Sequence, residues 1–474
     1  MNRRRMLQVT GGSMAAGAIG LMAQKAGSLG SAEASQDAAA RAIDAAGRKN
    51  EALAQAYSGA TRGLPPLKIT NVKTIMTSPQ GGNYVVVKVE TSEPGLYGVG
   101  SATLTTRGKA VVTSITEFLA PFAVGKDPAF IEDMWQTAYV GSYWRNGPVL
   151  NGGLCGLDEA LWDIKAKRAN MPLYELLGGK SRFALATYCH ADGRSINDVS
   201  NNVSKFVEAG WKHVRVQLGG YGSPFLATEE GDFKKEGFAQ PRDEVQNNAA
   251  YVKNTLKLIE HIRKVHGDDI ELVHDMHERI EPIEAVNLVR ALQQYRMYFV
   301  EDPFSPEQMG YFKMIRQQCS TPISMGELFS HPMEWTDLIA DRLIDFIRVG
   351  FNHVGGITPG LKIARLAEAF GVRTAFHGPG NIDPINHAAQ GHVDLTIPNF
   401  GIQEDVDLGW GNVIQEVFPG CPTMKKGYMY LNEAPGIGVD INEKEAAKYP
   451  FPEFPRGTGF RFPVRKPDGT QIRP

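Results

Sequence analysis

The chain of 474 residues is 42% hydrophobic, which suffices for a large core: a barrel of roughly 250 residues leaves room for a second domain. Its 50 Lys and Arg against 52 Asp and Glu leave a formal charge of −2, so no bulk attraction to nucleic acid or to an anionic membrane is implied. Cys155, Cys189, Cys319 and Cys421 form no C-x-x-C pair, which argues against a zinc knuckle or a dense disulfide framework.

Arg3-Arg4-Arg5 precede Met6 and Leu7, and a Gly- and Ala-rich apolar run follows from Val9 to Ala23. This is the layout of a bacterial secretory signal, and the arginine cluster resembles the twin-arginine type that carries folded proteins. At about 15 residues the run is short of the ~20 needed to span a bilayer, so it predicts export to the periplasm rather than a stable membrane anchor. Ala32-Glu33-Ala34 offers a small-x-small cleavage site, making 1–34 a signal peptide.

Residues 35–66 form an Ala-rich, polar arm ending at Gly63-Leu64-Pro65-Pro66. The β-like runs Lys68 to Met76 and Tyr84 to Thr91, followed by helical periodicity from Ile115 to Leu161, predict an α+β domain over 67–183. From 184 to 400, short apolar runs alternate with helical stretches: Leu185–His190, His213–Leu218, Ile270–Asp275, Tyr298–Asp302, Ile323–Glu327, Asp345–Val349 and Thr374–His377. That alternation predicts a parallel sheet of βα units.

Asp275, Glu301 and Glu327 each end such a run, with steps of 301 − 275 = 26 and 327 − 301 = 26. A barrel βα unit takes roughly 30 residues, so these acids are expected at three successive strand ends on the face where barrel active sites lie. Three such carboxylates repel one another unless a cation sits among them, and an all-oxygen set favours Mg²⁺ over zinc.

The segments Leu157-Asp158-Glu159-Ala160-Leu161-Trp162-Asp163-Ile164-Lys165-Ala166-Lys167 and Pro172-Leu173-Tyr174-Glu175-Leu176-Leu177-Gly178-Gly179 resemble the junction of capping domain and barrel in the enolase superfamily. His274-Asp275-Met276-His277, Glu301-Asp302-Pro303, Gly326-Glu327, Gly355-Gly356-Ile357-Thr358 and His377-Gly378-Pro379 are similar to the mannonate dehydratase family, the likeness running from about Lys68 onward. The resemblance implies an α/β fold: a modified (β/α)7β TIM-like barrel under an α+β capping domain built from N- and C-terminal segments, with 401–474 completing the barrel and returning to the cap. It also implies Mg²⁺ on Asp275, Glu301 and Glu327, a symmetric homo-oligomer, and substrate contacts from His190, Arg348, His377 and Glu404. Where lysine-base members carry Lys-x-Lys, this chain reads Arg215-Val216-Gln217, which points to Arg215 and Tyr221 instead. Three places depart from the family: Thr105 stands for Asn, Asn381 stands for Asp, and the loop between Arg215 and Tyr221 is shorter. Thr105 and Asn381 thus bear on which hydroxyl is bound.

These residue types suit removal of the proton beside a substrate carboxylate, because a divalent cation stabilises the charge that develops as the proton leaves. With a hydroxyl at C3, elimination of water then gives a 2-keto-3-deoxy acid, as from mannonate or gluconate. A free tyrosine has a pKa of about 10, so Tyr221 as base needs a nearby cation, which Arg215 supplies. His277, two residues from Asp275 and expected on the same strand face, is the acid. His377 is ranked as a binding residue, because the place where a partner Asp would stand reads Gly350. An epimerase or racemase, and a secreted sugar-acid-binding protein without turnover, remain the alternatives.

Overall fold

The computed structural model of the chain describes residues 65–219, 237, 244–380, 382–404, 409–453 and 464–473. The expected signal and nearly all of the arm therefore lie outside the described residues, and Leu67–Pro474 is one unit.

Strands β1 (Ile69–Thr77), β2 (Tyr84–Thr91) and β3 (Tyr97–Ser101) make an antiparallel sheet in the order β1-β2-β3. Val85, Val86, Val87 and Val89 of β2 are all buried, so both faces of this sheet are covered. Against β3 packs helix α1 (Pro148–Arg168), which has Pro at its start and Lys165, Lys167 and Arg168 in its last turn, where cations favour the helix dipole. The approach is close because β3 carries glycine: a Cβ on Gly98 or Gly100 would lie 2.0 or 2.2 Å from the carbonyl oxygens of Ala160 or Gly156. Two buried acids of α1 bolt the cap to the remainder. Asp158 accepts from the Thr358 backbone N–H (2.9 Å) and hydroxyl (2.5 Å), and Glu159 accepts from Ser101 N–H (2.7 Å) and Asn386 Nδ2 (2.9 Å).

Parallel strands β4 (Leu185–Gly193), β5 (His213–Leu218), β7 (Glu271–Asp275), β8 (Met297–Glu301), β9 (Ile323–Met325), β10 (Phe346–Ile347) and β11 (Arg373–Thr374) follow; β6 (Glu244–Val245) lies outside this ring. Helices α2 (Ile196–Glu208), α3 (Asn248–His266), α4 (Pro282–Leu292), α5 (Tyr311–Gln318), α6 (Pro332–Ala340), α7 (Ile357–Phe370) and α8 (Pro384–Thr396) alternate with them. The ring closes through β12 (Gln403–Glu404): Thr374 bridges Phe400, and Gln403 and Glu404 pair with Thr187 and Tyr188 of β4. Seven βα units and a last strand thus form the (β/α)7β barrel. The C-terminal segment adds a hairpin, β13 (Thr423–Lys425) and β14 (Tyr428–Tyr430), on β4, and then returns to the cap, where Glu443 pairs with Lys73 (3.1 Å) and Lys88 (2.7 Å). A further sheet joins β15 (Val464–Arg465) to β16 (Gln471–Ile472) and to β6.

Candidate active site

Alternation along the barrel strands sets two layers inside it. Tyr188, Val273, Phe299, Phe346, Ala375 and Ile402 pack together as an apolar plug. Two residues further along the chain from each, at the strand ends or just beyond them, stand His190, Asp275, Glu301, Arg348, His377 and Glu404. The polar ring is therefore a consequence of strand period: the plug closes one end of the barrel, and the next inward position carries the chemistry. Glu327 enters differently, through Gly326 in a left-handed conformation (φ 139°), where a Cβ would lie 3.1 Å from Phe329.

Carboxylate oxygens of Asp275, Glu301 and Asp302 all lie within 4.8 Å of one another, and each of these residues is at most 2% exposed. Burial holds the Glu301 and Asp302 carboxyls well above the ordinary carboxylate range, Arg348 opposing in both and Glu327 adding to the rise at Asp302. Such a group of hard oxygen donors fits a divalent cation such as Mg²⁺. Glu327 is not in that group. It faces Arg348, whose Nη1 lies 2.6 Å from its Oε2, and it lies 3.4 Å from both His277 Nε2 and His377 Nε2. Burial raises its carboxyl, but Arg348, His277 and His377 outweigh burial and hold it well below the ordinary range.

Arg348 is the electrostatic centre. Its buried guanidinium donates to Glu327 and Glu404, lies 2.9 Å from Glu301 and 3.5 Å from Asp302, and its Nε donates to the Tyr188 hydroxyl at 3.3 Å. Tyr188 in turn donates to Glu301 Oε2 (3.1 Å), so one phenol orients both the arginine and an acid. Tyr188 did not emerge from the sequence as a site residue, although its position two before His190 on one strand was a signal for it. Glu404 lies 3.2 Å from His190 Nε2 and accepts from Gly378 N–H at 3.1 Å.

Arg215 sits on β5 with Nη1 donating to Asp275 Oδ2 at 3.2 Å, and Gln217, another residue the sequence did not single out, donates to the Asp275 carbonyl at 2.9 Å. The expectation that His277 shares a strand face with Asp275 is corrected: β7 ends at Asp275, and His277 and Glu278 are both left-handed (φ 47° and 51°). The imidazole reaches Glu327 all the same because Asp275 Oδ1 accepts from the His277 backbone N–H (2.8 Å) and fixes the turn.

His377, with burial lowering its pKa to about 3, has no hydrogen bond on its buried Nδ1 among the described residues. The nearest place for a carboxylate partner is empty of side chain, since a Cβ on Gly350 would be 3.4 Å from that nitrogen. Thr105 is half-buried in the loop after β3, close to Thr103, whose carbonyl accepts from Asn352 at 2.6 Å. Tyr221 and Asn381 lie outside the described residues.

The enolase C-terminal domain-like family matches residues 198–445, and the mandelate racemase / muconate lactonizing enzyme N-terminal domain matches 60–178. A D-galactonate dehydratase family member of Salmonella virchow is 48% identical over 422 residues, 86% of this chain and 99% of the relative. One of Catenulispora acidiphila is 41% identical over 404 residues, 85% of this chain and 93% of the relative. Among solved structures, an enolase from Pantoea ananatis with bound D-gluconate and Mg is 48% identical, covering 86% of this chain and 100% of its own, with a TM-score of 0.79. An enolase superfamily member from Salmonella Typhimurium, 23% identical with a TM-score of 0.72 over 81% of this chain and 98% of its own, shares the fold.

Proposed function

Because this chain belongs to the D-galactonate dehydratase family of the enolase superfamily, we propose that it is a Mg²⁺-dependent sugar acid dehydratase giving a 2-keto-3-deoxy acid. The observation that carries the reading is the buried group of Asp275, Glu301 and Asp302 at the barrel mouth, with His277 and His377 each 3.4 Å from Glu327. Asp275 and Glu301 would hold the ion, with the third place taken by Glu327, as the motifs imply, or by Asp302, which the geometry groups with them. When bound, Mg²⁺ supplies the positive charge that makes the C2 hydrogen of a carboxylate-bearing substrate acidic.

The remaining steps belong to side chains. Tyr221 takes the C2 proton, its phenolate favoured by Arg215. As the C3–O bond breaks, His277 gives its proton to the departing hydroxyl, which leaves as water. The enol left behind tautomerises to the keto acid. Arg348, His190, Glu404, His377, Thr105 and Asn381 orient the polyhydroxy chain. Gluconate, bound by the Pantoea ananatis relative, and its epimers mannonate and galactonate are the substrates to try first.

Full-length protein with Mg²⁺ and a sugar acid library tests this. A keto product supports it, whereas solvent exchange or inverted stereochemistry without keto product marks an epimerase, and binding alone marks a non-catalytic protein. Within a dehydratase, Tyr221→Phe should lose both C2 exchange and dehydration while still binding substrate, and His277→Asn should keep exchange while losing water elimination. Exchange at the wild-type rate in Tyr221→Phe would place the base elsewhere. On the Arg3-Arg4 cluster and the apolar run after it, the proposed site of action is the periplasm.

A further inference from the structure

The turn that carries His277 is held by the far end of the chain. Two consecutive non-glycine residues, His277 and Glu278, are left-handed, a conformation that L side chains keep only when neighbours over-determine it. Backbone bonds fix part of the turn: Glu278 N–H donates to the Asp302 carbonyl (2.9 Å) and Arg279 N–H to that of Met276 (3.3 Å). The Glu278 side chain is held by something else. It is 9% exposed, near Glu327 and Asp275, and its Oε2 lies 3.3 Å from Arg473 Nε. Arg473 follows the β15–β16 hairpin, which docks through β15 on β6 and through Lys466 on Glu281 (2.5 Å). Between hairpin and turn is a cleft of about 610 Å³, lined by Glu278, Arg279, Glu281, Lys466 and Arg473 among others, so ion pairs rather than close packing link the two.

We propose that Arg473 is a positioning residue for His277: the C-terminal hairpin is a strap whose guanidinium, through Glu278, locks the left-handed turn and so aims the imidazole at the substrate. The proposal rests on the reading of His277 as the proton donor. Arg473 Nε, 3.3 Å from Oε2, is the cation that holds the Glu278 carboxylate, and its Nη2 lies 3.7 Å from Glu307 Oε2. With Arg473 removed, the carboxylate loses its ion-pair partner and the turn loses its side-chain anchor. Because Arg473 is 41% exposed, its loss should leave the global fold intact. The effect belongs to the turn.

Two measurements on Arg473→Ala, Arg473→Lys and wild type test the strap. In hydrogen–deuterium exchange followed by mass spectrometry, the peptide over 276–281 should exchange at least about tenfold faster in Arg473→Ala and near the wild-type rate in Arg473→Lys. In kinetics with Mg²⁺ and D-gluconate, or the acid the library identifies, Arg473→Ala should lower kcat for dehydration by roughly tenfold, with KM within about twofold and C2 exchange retained. Arg473→Lys should recover most of that kcat. Unchanged amide exchange in Arg473→Ala overturns the strap whether or not the protein turns over a sugar acid. A wild-type protein that dehydrates none overturns the proposed function and not the strap. Dehydration and C2 exchange falling together would show that Arg473 does not act through His277.

Discussion

Substituting Glu301 by Gln tests the metal site with little change of shape. The folded unit Leu67–Pro474 has 474 − 67 + 1 = 408 residues. At about 2.1 cal/mol/K per residue its unfolding entropy is roughly 0.85 kcal/mol/K. An ion bound only by the folded state, at 100 times its Kd, contributes about 2.7 kcal/mol, so Mg²⁺ should raise the wild-type Tm by about 3 °C. Glu301→Gln removes one of the clustered charges. Losing an outer-sphere partner already weakens metal binding 10–100-fold, so losing a ligand should weaken it by at least about 100-fold. At the same Mg²⁺ the stabilisation then falls to roughly 0.4 kcal/mol, under about 0.5 °C. Without metal the variant should melt within a few degrees of wild type, because Arg348 keeps Glu327 and Glu404 as partners and the Gln carbonyl still accepts from Tyr188. Differential scanning fluorimetry with EDTA and with Mg²⁺ reads all four states. A full 3 °C shift in Glu301→Gln would refute the assignment of Glu301 as a ligand, and dehydration at the wild-type rate with the metal chelated would refute the metal itself.

Acid should destabilise the protein through His213, which is stacked edge-on against Tyr298 at 4.8 Å and whose pKa burial, with Lys212 and Arg373, lowers from 6.5 to about 4. A depressed histidine adds stability that is complete above pH 6.5 and disappears as the pH falls towards 4, at most roughly 3 kcal/mol here; chemical denaturation of His213→Gln should show a shallower loss over that window, and an unchanged slope would exclude His213. Export is tested by changing Arg3 and Arg4 to Lys, which should trap a precursor in the cytoplasm while the unaltered protein is recovered outside it with its N-terminus near Ser35. Cytoplasmic protein that still begins at Met1 would rule this out.

The barrel was legible because a strand has period two and a βα unit a nearly constant length: the apolar runs placed seven strands, and two 26-residue steps placed Asp275, Glu301 and Glu327. What stayed hidden lacks a period. Strand β12 is two residues long, and only its pairing with Tyr188 identifies Gln403-Glu404 as the stave that closes the ring. Asp302 follows Glu301, so alternation predicts that it points outward; a left-handed backbone (φ 39°) brings it beside Asp275 instead. Arg348 could be named as a substrate contact from its motif, but its engagement with four acids depends on strands brought together from 300 to 404. The hairpin beyond residue 464 touches the turn at 278 across nearly two hundred residues, and no local pattern encodes that contact. Local period therefore locates the inward positions, while non-local charge pairing decides what each inward side chain does. That division explains why Glu327, legible as a strand-end acid, is held by Arg348, His277 and His377 instead of joining the oxygen group of Asp275 and Glu301.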